Sequence, residues 1–74
     1  MTKEITEYDV VEVIASNPDI PEAEVGDLAA VLMVHYNDDI AVAYELECVL
    51  PDATNKWEGT FSPKLIKLIE RYES

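Results

Sequence analysis

The strongest constraint on this chain is a pair of apolar runs separated by three polar residues. Leu28 to Tyr36 is a nearly continuous apolar stretch, and Asn37-Asp38-Asp39 interrupts it. The second run, Ile40 to Cys48, then alternates in its later half, with Tyr44, Leu46 and Cys48 on one face and Glu45 and Glu47 on the other. Two such runs joined by a short Asn/Asp segment predict a β-hairpin.

The flanking segments extend a β pattern. Pro51-Asp52-Ala53-Thr54-Asn55 is a second turn cluster. Lys56 to Phe61 follows as a short strand, in which Trp57, Gly59 and Phe61 share a face. Ser62-Pro63-Lys64 reads as one helical turn, with Ser62 as cap and Pro63 at the first position. Leu65 to Ile69 reads as a last strand, although Leu65, Leu68, Ile69 and Tyr72 also fit a helix over residues 62–72. Upstream, residues 5–15 carry both periods; the β-branched density of Val10 to Ile14 favours a strand over the helical stripe Ile5, Tyr8, Val11, Ala15. Between them Asn17 to Gly26, with Pro18 and Pro21, reads as a long irregular loop. The expected fold is mainly β: a single domain over residues 1–74, built as a small five-stranded SH3-like barrel with one short helical turn near its C-terminus.

Charge narrows the partners. The 74 residues carry a formal net charge of −11, which disfavours nucleic acid and anionic membranes. The acids are unevenly placed: residues 1–55 hold Lys3 as their one cation and 13 carboxylates, whereas residues 56–74 are net +1. Asp19, Glu22, Glu24 and Asp27 gather in or beside the long loop, Asp38 and Asp39 in the hairpin turn, and Glu45 and Glu47 on a strand face. With Tyr36 as an aromatic anchor, these residues are the candidate contacts for a basic protein partner. Tyr8, Tyr44 and Trp57 are further candidate aromatics, with Trp57 assigned to the core by its alternation with Gly59 and Phe61.

Catalytic chemistry has little to stand on. His35 and Cys48 are the sole histidine and cysteine, which excludes an internal disulfide and a two-histidine metal site. Turn register sets His35 near residues 41–42, and ~3.3 Å per residue then puts Cys48 about 20 Å away, too far for a thiol–base pair. Asp27, Asp38 and Asp39 lack the ordered ligands and glycine of a calcium loop. No cofactor is expected. Neither a signal-peptide core nor a membrane-spanning run is legible, so a reducing cytoplasm is the expected setting.

The order Tyr8-Asp9-Val10-Val11, a long polar loop, Val25-Gly26-Asp27, then Ala43-Tyr44-Glu45-Leu46-Glu47 and Ser62-Pro63-Lys64-Leu65-Ile66-Lys67-Leu68 resembles the small bacterial domains of domain-of-unknown-function family 4926. The resemblance runs from about Tyr8 to Ile69. It implies an SH3-like or KOW-like barrel without catalytic residues. By analogy with genes paired to toxins or effectors, it also implies an immunity or antitoxin role. The expected function is a non-enzymatic acidic binding protein that inhibits a basic toxin or effector; a peptide-binding or assembly module of a larger complex is the alternative.

Overall fold

The computed structural model describes residues 4–72; Lys3, the one cation expected in the acidic part, lies outside the described residues. Five strands follow in chain order: β1 (Val10–Val13), β2 (Leu28–Asn37), β3 (Ile40–Val49), β4 (Asn55–Phe61) and β5 (Ile66–Glu70). A single 3-10 turn, Pro63–Leu65, separates the last two. All pairings are antiparallel and form one sheet in the order β4-β3-β2-β1-β5. The fold is therefore mainly β, and residues 62–72 take the turn-and-strand form rather than the helix. The sheet itself is open: no ladder joins its outer strands β4 and β5.

The β2–β3 hairpin forms where expected, with Asn37 and Ile40 as its last pair. Asp38 and Asp39 make the two-residue turn, with φ of +52° and +67°. Two successive positive φ values give the turn a hand that matches strand twist, and aspartate tolerates this region better than most residues. A bulge between His35 and Tyr36 sets His35 opposite Ala43, not beside residues 41–42. The extra residue of a bulge shifts every later pair, which the turn alone does not reveal.

One face of the sheet packs the core. Val11 and Val13 of β1, Ala29 and Val31 of β2, Tyr44, Leu46 and Cys48 of β3, Trp57 and Phe61 of β4, and Ile66 of β5 are all buried. Their spacing is the period of two that a strand imposes on its inward side. Trp57 and Phe61 meet with ring centroids 5.1 Å apart.

The loop over residues 14–27 is wound rather than slack. Backbone bonds Ile20 N to Asn17 O, Ala23 N to Ile20 O and Asp27 N to Glu24 O close successive turns. Asn17 is buried and donates from Nδ2 to Thr60 O at 2.9 Å, while its Oδ1 accepts the Asp19 N–H. The loop thus satisfies part of the open edge of β4, which would otherwise present bare backbone groups. Ile20 lies directly over Gly59, where a Cβ would overlap its Cδ1.

Gly59→Ala is expected to cost about 1–3 kcal/mol through this overlap. The loss should shrink when Ile20 is also alanine, as read by urea denaturation of the four members of the cycle. Equal losses in both backgrounds would show that the loop does not bear on β4.

Candidate functional site

Two carboxylates that the sequence leaves unremarkable, or assigns to a partner, hold the fold from inside. Asp9 is fully buried. Its Oδ2 accepts the Thr6 N–H at 2.8 Å and the Thr6 hydroxyl at 3.2 Å, and its Oδ1 accepts the Tyr72 N–H at 2.7 Å. The Arg71 guanidinium stands 4.0 Å away. Burial pushes this carboxyl up, but the hydrogen bonds from Thr6 and Tyr72 and the charge of Arg71 outweigh it and hold Asp9 below the ordinary value. Tyr8, in the turn before it, has φ of +72°, an outlier for a bulky side chain, and its ring meets Tyr72 edge-on at 5.4 Å.

Asp27 plays the same part at the end of the loop, just before β2. Its Oδ2 accepts the Trp57 Nε1–H at 2.8 Å and the Glu24 N–H at 2.9 Å, while Oδ1 accepts from Lys56 Nζ at 2.9 Å. Lys56 also reaches Glu24 Oε1 at 2.6 Å. Burial again opposes ionisation, and the Trp57, Glu24 and Lys56 bonds again prevail to lower the Asp27 pKa. The Glu24 and Asp27 carboxylates in turn raise that of Lys56. Trp57 is in the core as expected, yet its ring nitrogen needs the loop to satisfy it. Asp27 therefore faces inward to a clasp that the exposed Glu24 completes through Lys56, whereas Asp19 and Glu22 are exposed and outside it.

The strand acids form a second group. Glu47 stands directly across from Glu58, and neither makes a salt bridge among the described residues. Glu45 is held by the Thr60 hydroxyl at 2.7 Å and by His35 Nε2 at 3.0 Å, contacts that lower its pKa. His35 thus meets a carboxylate and not Cys48, which is buried opposite Trp57 with its thiol pushed up by desolvation.

The third group makes a groove. Tyr36, 57% exposed, and the inward Tyr44 line it with Ile5, Ile40, Ala41 and Pro63. Its volume is about 420 Å³, and its only charged lining residues among those described are Glu4 and Asp39. Burial, helped by Tyr36 and Glu4, raises the Tyr44 pKa and keeps that phenol neutral. Of the nine expected contacts, Tyr36 and Asp39 line this groove, Asp38 adjoins it in the turn, and the loop acids lie elsewhere, along β4. Ile5, Ile40, Ala41 and Pro63 were not anticipated, because no local pattern in the sequence brings these segments together. Asp27 and the Asp38-Asp39 turn occupy opposite ends of β2, roughly 30 Å apart at ~3.3 Å per residue. No group of three His, Cys, Asp or Glu side chains converges among the described residues, and no helix there is long and apolar enough to cross a membrane.

Because its folded-state pKa is depressed, Asp27 stabilises the protein fully above the ordinary carboxylate value and loses that contribution as pH falls through the folded value. Asp27→Asn should cost about 1–3 kcal/mol at pH 7. The gap from the parent should close below about pH 4, with Trp57 fluorescence following urea unfolding at each pH. A gap independent of pH would assign the loss to packing and not to charge.

No family model, curated protein or solved structure matches the chain, and its function is read from the groove, the acid pairs and the sheet.

Proposed function

We propose that this protein is a non-enzymatic acidic binding domain that captures a basic segment of another protein, acting as an immunity- or antitoxin-like inhibitor of a basic toxin or effector. The observation that carries the reading is the groove: aromatic and aliphatic walls supply contact area, and the charged residues at its border among those described, Glu4 and Asp39, are both acidic. The sheet order, with a 3-10 turn between β4 and β5, supports an SH3-like barrel as its scaffold. In such a scaffold the long-range field of a −11 chain steers a cationic partner, and Tyr36 anchors it once docked.

The turn beside the groove supports the same reading. Asp38 and Asp39 both adopt positive φ, where Asn-Gly would fold with less strain and no charge. Replacing them with Asn and Gly should raise stability by about 1 kcal/mol and weaken partner binding. A variant that is more stable and binds equally well would remove the turn acids from the interface.

The partner recovered from cell extract at low salt, once identified and purified, provides the direct test. Tyr36→Ala should weaken its binding by roughly tenfold or more, and Asp39→Lys should slow association. Raising ionic strength should reduce the on-rate steeply, and saturating binding should suppress the partner's own activity. Binding indifferent to salt and to Tyr36 would overturn the proposal. Recovery within a stoichiometric multi-subunit complex whose activity is unchanged would assign the chain to assembly instead.

A further inference from the structure

The outer face of β2 departs from the alternation expected of a sheet with one wet face. An antiparallel sheet with one wet face alternates apolar and polar residues, whereas a strand covered on both faces is apolar throughout. Every residue from Leu28 to Val34 is apolar. Ala29 and Val31 enter the core, but Leu28 and Met33, on the other side, are 53% and 50% exposed. The ladders place Val10 of β1 and Glu47 of β3 on either side of Ala30. Val49, two residues beyond Glu47, is on the same face and also exposed.

Val10, Leu28, Ala30 and Val49 line one shallow depression of about 200 Å³, with Glu47 on its border. It crosses three adjacent strands, about 10 Å at ~4.8 Å per strand, which is the diameter of one α-helix. Along one side run Glu47 and its cross-strand partner Glu58, neither of them in a salt bridge among the described residues. Along the other, Glu12 has Lys67 at 3.6 Å. None of the residues lining the Tyr36 groove lines this face.

We propose that this face docks a basic amphipathic helix of a partner protein, its apolar side over Leu28, Ala30, Val10 and Val49 and its lysines or arginines over Glu47 and Glu58. Those two acids repel each other when the face is bare, and cations from the helix relieve that repulsion. A second copy of this chain fits poorly, because it would bring another −11 molecule against the same acids.

The test uses the full chain, labelled with nitrogen-15, and a synthetic leucine–lysine peptide of about 18 residues, five helical turns, designed to be amphipathic. Amide shifts should centre on residues 10, 28–30 and 47–49. A scrambled peptide of the same composition should bind about tenfold more weakly, as should the parent peptide to the Leu28→Ser, Val49→Ser double variant. Both substituted positions are substantially exposed, so the fold should survive, and the amide spectrum checks this directly. Tyr36→Ala should leave the affinity unchanged. Equal binding of the two peptides would reduce the contact to bulk charge and overturn the proposal. Shifts centred on Tyr36 to Ala41 would overturn it too, while leaving the groove reading intact. A dimer that light scattering detects in the parent and not in the double variant would give the face to a second copy, against the proposal.

Discussion

The buried carboxylate of Asp9 is the point at which the two ends of the described chain become one structure. It accepts hydrogen bonds from the turn that precedes β1 and from the backbone just after β5. Strand β1 is only four residues long, yet it alone connects β5 to the rest of the sheet. A strand that short has too few ladder bonds to fix its own register firmly, so the anchor at its start matters. The strained φ of Tyr8 is tolerable for the same reason: the surrounding bonds determine the turn completely.

Asp27 repeats the device at the other side of the sheet. Together the two aspartates show that part of the acidic character of this chain is internal architecture. What is left for a partner is sorted by location. Asp19 and Glu22 lie on the exposed part of the loop, Asp38 and Asp39 at the hairpin tip, and Glu47 with Glu58 on the outer face. A bulk charge of −11 thereby resolves into structural acids and separate surface groups with different neighbours.

The hairpin, the strand ending in Phe61 and the helical turn at Pro63 were legible because each depends on local pattern, whereas the sequence leaves the last strand open against a helix over residues 62–72, which the same residues fit. The core position of Trp57 was legible too, set by alternation. The roles of Asp9 and Asp27 were not legible, since beyond the local bonds to Thr6 and Glu24 their partners Tyr72, Lys56 and Trp57 lie tens of positions away in sequence. Asp27 read as a loop acid because nothing near it in sequence foretells Trp57 and Lys56. The groove was half legible: Tyr36 and Asp39 carried a signal, whereas Ile5 and Pro63 reach it only through the fold. The register of His35 was missed because a bulge leaves no mark in composition.

The ladder between β1 and β5 also sets an order of events during synthesis. Val11 pairs with Leu68 and Val13 with Ile66, so β1 can pair with β2 early but its other edge waits for β5. The β2–β3–β4 meander can assemble as it leaves the ribosome, but its inner face stays uncovered on the β5 side until residues 66–72 emerge. Closing so long a loop is slow compared with forming a hairpin. For that interval the nascent chain carries an exposed apolar sheet, and like charge on neighbouring chains opposes their contact through it.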